Sequence, residues 1–253
     1  MSIHFPQHGW DAVKKNDLKP HLQRTWCIPQ VTSAFLANME DILQLYARPS
    51  NPHEPVICYD ERPCFLIGET LVPVPMQEGH PRKQQYAYEK LGSCALLAAI
   101  EPLTGRRLGQ VQAQRTKREY TLFCQTLAAA YPDATTIHLV QDNLNTHTTS
   151  AFYAMLPADE AAALAARFTF HYTPKGASWL NMIECEFSVI SRFCLNRRIA
   201  TIETLRTEVL AFLEERSTKQ IRIHWQFSVQ AARTKLNRHY TKVNPDNAKY
   251  KET

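Results

Sequence analysis

Two short, apolar, β-rich runs in this 253-residue chain end in an acid: VICYD stops at Asp60 and IHLVQD at Asp142. Runs of this length and composition form buried strands. In α/β folds, binding sites gather at the carboxyl ends of strands. If the two strands lie side by side, their carboxylates face each other and repel unless a cation stands between them. Read singly, each aspartate is more simply a turn residue or a helix cap.

The rest of the chain supplies strands and helices in a definite order. KKNDLKPHLQ is polar and basic, and SAFLANMEDILQLY places Phe35, Met39, Ile42 and Leu45 on one helical face. ARPSNPHEP then reads as a linker. LGSCALLAAIEP and RRLGQVQAQ read as two strands joined by a turn at Thr104-Gly105. Thr116 and Glu119 form a capping box ahead of a helix carrying Tyr120, Phe123, Leu127 and Ala130, closed by Pro132. TTIHLVQD is a fourth strand, DEAAALAARF a helix, and FTFHYTP a strand stopped by Pro174. Three helices follow: Ser178 to Cys194, a second from a Thr201 cap with Ile202, Leu205, Val209, Phe212 and Leu213 inward, and HWQFSVQAARTKLNRHY. The expected fold is therefore α/β, an RNase H-like core with a mixed five-stranded sheet flanked by helices. The expected boundaries are an N-terminal arm and linker helix over 1–53, the core over 54–240 and a loose polar tail over 241–253.

Composition narrows the setting. No apolar run approaches the ~18 residues of a membrane span, and MSIHFPQHGW lacks the pattern of a secretory signal. The seven cysteines include no C-x-x-C pair, so they read as reduced thiols of a cytoplasmic protein rather than zinc ligands. A net charge of +5 fits a polyanion partner, and fits a mildly basic globular protein equally.

A third acid would complete a metal site, and SWLNMIECEFSVISR offers two. At about 100° per residue, with Ile183 as origin, Glu184 falls at about 100° and Glu186 at about −60°. They flank opposite edges of the apolar stripe, and helical geometry does not choose between them.

The blocks VICYDE, QDNLNTH and YTPKGASWLNMIECEFSVISR together resemble the three catalytic blocks of transposases in the mariner superfamily, in particular its bacterial insertion-sequence branch. The resemblance spans roughly residues 11 to 240. It implies an Asp-Asp-Glu endonuclease whose third acid ends a Tyr-x-Pro…Leu-Asn-x-x-Glu motif, here Tyr172, Pro174, Leu180, Asn181 and Glu184. That match selects Glu184 over Glu186, and Asn143 and His147 match the block after the second aspartate. His147 could orient Asp142 or bind a phosphate, or could be a helix-start residue without a chemical role. Glu61 points the other way along its strand and reads as structural or as support for the site. The resemblance further implies two Mg²⁺ ions, replaceable by Mn²⁺, on Asp60, Asp142 and Glu184. It implies cleavage at the element's DNA ends, strand transfer into a TA target, nucleoid association on DNA, and a homo-oligomer in the DNA complex. Two departures stand out. Asp142 and Glu184 are 42 positions apart, longer than in many members, with DEAAALAARF as the extra length. Family members also carry helix-turn-helix modules before the core, and only a trailing arm is visible here. A truncated, catalytically silent DNA-binding or partner-binding remnant is the alternative expectation.

Basic clusters occur at Arg106-Arg107, Arg115-Lys117-Arg118, Arg197-Arg198, Lys219 and Arg222, and Arg233-Lys235-Arg238. Such residues give affinity for phosphates without reading sequence. Lys175, Arg192, Arg197 and Arg198 flank the Glu184 segment and are the candidate DNA contacts. Trp179 reads as a stacking platform or as core, with core preferred.

Overall fold

The computed structural model describes residues 30–250. MSIHFPQHGW, KKNDLKPHLQ and Cys27 lie outside the described residues.

The first element, α1 (Ser33–Tyr46), starts where the Thr32 side chain accepts the Phe35 amide at 3.1 Å. Phe35, Met39, Ile42 and Leu45 are buried, as their spacing requires. Strands β1 (Val56–Glu69), β2 (Tyr88–Glu101) and β3 (Arg106–Gln112) form an antiparallel meander. Its β2–β3 turn depends on Gly105 at φ +81, where an added Cβ would also lie 2.8 Å from the Gln220 backbone. Helix α2 (Lys117–Ala130) begins with the expected capping box. Strand β4 (Ile137–Gln141) is followed by two short helices, α3 (Thr149–Met155) and α4 (Ala158–Ala165), and by β5 (Phe168–Tyr172). The long interval between Asp142 and Glu184 is thus filled by two helices where the sequence showed one.

The sheet order is β3-β2-β1-β4-β5, with β1–β4 and β4–β5 parallel. This is the mixed five-stranded RNase H-like sheet. Alternation along β1 divides the core between the two faces. Cys58 and Cys64 join Leu96, Ala98 and Val140 under α1 and the later helices. Ile57 and Tyr59 join Leu97, Ala99 and Leu139 under α2, α3 and α4. β4 accompanies β1 only as far as Cys58 opposite Val140. Asp60 therefore lies where β1 leaves β4, and Asp142 immediately follows β4, at the same end of the sheet.

Three expectations need correction. The segment from Ser178 is not one helix: a 3-10 turn (Ser178–Leu180) and an extended Asn181 precede α5 (Ile183–Phe193). The Asn181 side chain donates to the Tyr59 carbonyl oxygen at 2.8 Å, and that tie interrupts the helix. After α6 (Ile202–Thr218), the stretch from His224 to Phe227 is not helical. Ser228 caps the Ala231 amide at 3.1 Å and starts α7 (Val229–Lys235), followed by α8 (Asn237–Val243). The segment expected as a loose tail ends α8 and forms a 3-10 turn (Pro245–Tyr250), with the Arg233 guanidinium 5.2 Å from the Tyr250 ring centre.

β1 and β2 also run beyond the sheet as a two-stranded arm, paired from Leu66 opposite Gly92 to Glu69 opposite Tyr88. Leu71, Val72, Met76 and Tyr86, in the connection between its strands, are exposed. No described helix is long and apolar enough to cross a membrane.

Candidate active site

Asp60 is half-buried, and its Oδ1 accepts the Glu61 amide at 2.7 Å. Burial pushes its carboxyl up to about 7; the Glu61 amide opposes this, and the charges of Asp142 and Glu184 add to it. Asp142, at the end of β4, and Glu184, in the first turn of α5, therefore act electrostatically on Asp60 of β1. Among the described residues, no three or more His, Cys, Asp or Glu side chains already stand as a ready metal cage.

Asp142 has a built support. His147 is fully buried, donating from Nδ1 to Asp142 and from Nε2 to Glu61 at 3.2 Å. Burial disfavours its charge, but the hydrogen bonds to Asp142 and Glu61, and their charges, outweigh it and hold the imidazole at about 9. Only the protonated ring can donate from both nitrogens. Tyr59 donates to the same Glu61 oxygen at 2.9 Å. Gln141 donates to the His147 carbonyl at 2.9 Å, and Tyr120 donates to Gln141 at 2.9 Å. Glu61 thus points away from Asp60, as strand alternation requires, and anchors the residue that holds Asp142. Tyr59, Tyr120 and Gln141 were missed as parts of the site. Asn143 is exposed in the turn that follows.

The two acids of α5 have different surroundings. Glu186 is fully buried and accepts from Arg107 Nη2 at 2.9 Å and from Arg216 Nε at 2.6 Å. Burial works to raise its pKa, but Arg216 and Arg107 hold it below the ordinary glutamate value. Glu184 is half-buried, with its charge acting on Asp60. Asn181 ties the start of α5 to the Tyr59 carbonyl, one residue before Asp60, and accepts the Glu184 amide on its own carbonyl at 3.1 Å.

The candidate DNA contacts divide. Lys175 and Arg192 are exposed. Arg197 is paired with Glu208. Arg198 is held by Glu69 at 2.6 Å and by the carbonyl oxygens of Gln85, Tyr86 and Ala87 on the arm connection. Arg107 and Arg233, from the other basic clusters, are spent on Glu186 and Glu40. Trp179 is 46% exposed, so it is not core. It stacks on Trp225 at 6.4 Å and meets Phe227 edge-on at 5.8 Å.

Two measurements check this division of roles. Glu186→Gln leaves the buried Arg107 and the partly buried Arg216 guanidinium groups without their charge partner and should cost about 3–5 kcal/mol in denaturant unfolding. Glu184→Gln should cost under about 1 kcal/mol; equal losses would contradict the assignment. In the metal-free protein, NMR should find the His147 ring titrating near pH 9 rather than at its ordinary 6.5. A raised folded-state value means the pairing stabilises the fold fully below pH 6.5 and is lost as the pH rises through about 9. An unshifted His147 would exclude the bridged imidazolium.

Comparisons with known proteins agree with this architecture. The crystal structure of the Mos1 mariner paired end complex with Mn is similar at a TM-score of 0.59 and 14% identity, over 97% of this chain and 72% of that one. A pre-cleavage Mos1 transpososome is similar at 0.56 and 13% identity, over 97% and 72%. The Mos1 paired end complex with Mg is similar at 0.52 and 14% identity, over 95% and 70%. At these identities the likeness concerns the fold. No curated protein matches the chain in sequence. The family model described as "DDE superfamily endonuclease" matches residues 55–206, more than half of the chain, a span within which Asp60, Asp142 and Glu184 lie. The chain belongs to the DDE superfamily endonucleases.

Proposed function

We propose that this chain is the catalytic core of a DNA transposase, with residues 54–240 as the catalytic domain and Asp60, Asp142 and Glu184 as its metal-holding acids. The observation that carries this reading is the setting of Asp60. Burial and two neighbouring carboxylates all disfavour its charged form, and His147, whose charge opposes them, is already spent on Asp142 and Glu61. Such a set lacks positive charge. Its donors are hard oxygens, which fit Mg²⁺ or Mn²⁺ rather than a thiolate-seeking metal.

Divalent ions bound there would lower the pKa of an attacking hydroxyl and offset charge on the leaving oxygen of a phosphodiester. The chain's own residues prepare that step. Asp60 and Asp142 come from adjacent parallel strands, so their spacing is set by the sheet. Glu184 closes the set from α5. His147 fixes which oxygen Asp142 presents. Asn143 borders Asp142 on the solvent side. Lys175 and Arg192 offer exposed charge to the DNA backbone, and Arg197 and Arg198 keep partial roles through their neighbours. Trp179, with half its surface free and its ring braced by Trp225 and Phe227, offers a face to an unpaired base.

Two of the similar Mos1 structures are paired-end complexes, one with Mn and one with Mg. On that basis we assign DNA as partner, first at the element's ends and then at the target. Nicking and strand transfer are assigned to the same acids, a homo-oligomer to the DNA complex, and the cytoplasm, on nucleoid DNA, to the protein.

Purified protein given Mg²⁺ or Mn²⁺ should nick duplex DNA, and Asp142→Asn should abolish the nicking. Equal nicking by both proteins would contradict the assignment. DNA binding without nicking by the wild type would instead favour a catalytically silent remnant.

A further inference from the structure

Arg62 stands two residues beyond Asp60 on β1, so strand alternation puts both side chains on the face covered by α5. The protein gives its guanidinium little. Nη1 reaches the Phe187 carbonyl oxygen at 3.5 Å, the outer limit of a hydrogen bond. Nε is buried without a partner. None of the ion pairs among the described residues includes Arg62. The charges acting most on Asp60 come from Asp142, Glu184 and His147, and Arg62 forms no ion pair with any of the three acids among the described residues.

Arg62 and Arg197 line a cavity of about 220 Å³ whose other walls include Phe65, Ile67, Leu195 and Ile199. Arg197 is paired with Glu208, and Arg62 has no acid partner among the described residues. A guanidinium is always charged and carries five donors in a planar fork. Leaving it under-bonded beside apolar walls is costly, and the same walls strengthen its attraction to an incoming oxyanion. Residues i and i+2 of a strand are roughly 7 Å apart, a distance one nucleotide can span.

We propose that Arg62 binds a backbone phosphate of the DNA strand, the one next to the phosphodiester engaged by the three acids. This rests on the DNA-cleaving function proposed above. The oxyanion faces the guanidinium fork, and the adjoining sugar lies against the apolar wall.

The test is binding of a fluorescently labelled duplex over a salt series, without metal, by wild type, Arg62→Gln, Arg62→Lys and Lys242→Gln. Lys242 is an exposed cation in the last turn of α8, outside the basic clusters, and controls for loss of charge alone. Arg62→Gln should weaken binding several-fold on any sequence and lower the slope of log K against log salt by about 1. Arg62→Lys should restore most of the slope, Lys242→Gln should leave it unchanged, and none should shift the melting temperature appreciably. An unchanged slope in Arg62→Gln overturns the proposal, as does a loss of affinity that follows only from a large fall in melting temperature. Wild-type protein that binds DNA but fails to nick it with Mg²⁺ would defeat the proposed function while leaving this result readable.

Discussion

Three carboxylates held near one another repel, and the fold around them supplies the restraint that keeps them there. The parallel β1–β4 pairing puts Asp60 and Asp142 at the same end of the sheet. Asn181 binds the Tyr59 carbonyl and so fixes the start of α5 next to Asp60. Each restraint is a neutral backbone or amide hydrogen bond, worth about 0.5–1.5 kcal/mol net, so none neutralises the charge. They fix position and leave the electrostatic demand unmet, which is the condition a bound cation would satisfy.

The two faces of the sheet divide the work. On the α5 side, Asp60 and Glu184 have no ion-pair partner among the described residues, and Glu186 is withdrawn between the buried Arg107 and the partly buried Arg216. On the α2 side, Glu61 and His147 form a buried charged pair packed against the rings of Tyr59 and Tyr120. Asp142 belongs to both, because His147 reaches it from the far face. A cation held near pKa 9 is hydrogen-bonded to Asp142 and acts on Asp60 only through its charge, against the opposing charges of Asp142 and Glu184.

Much of this was legible in the sequence because it is local. The acids at the strand ends, the Thr116 capping box and the turn at Gly105 depend on neighbours a few residues away. Strand alternation was enough to put Glu61 opposite Asp60. The choice between Glu184 and Glu186 was not local: the side chains that claim Glu186 are 79 and 30 residues away, and no helical wheel contains them. The β1–β2 arm was invisible because its connection buries little and is broken by Pro73, Pro75 and Pro81, so it reads as loop. The last helix was drawn too long because Trp225 and Phe227 are held by packing around Trp179, and the helix starts only at the Ser228 cap. Arg62 gave no signal at all; its lack of an acid partner among the described residues exists only in three dimensions.

The central claim is that Asp60, Asp142 and Glu184 form one site short of positive charge. Calorimetric titration of the protein with Mn²⁺ near pH 7 addresses it. Wild type should bind and release a fraction of a proton on binding, since Asp60 sits at about 7 before metal arrives. Glu184→Gln should weaken the binding strongly and Glu186→Gln, while folded, should not. Absence of binding by wild type, or equal binding by wild type and Glu184→Gln, would contradict it.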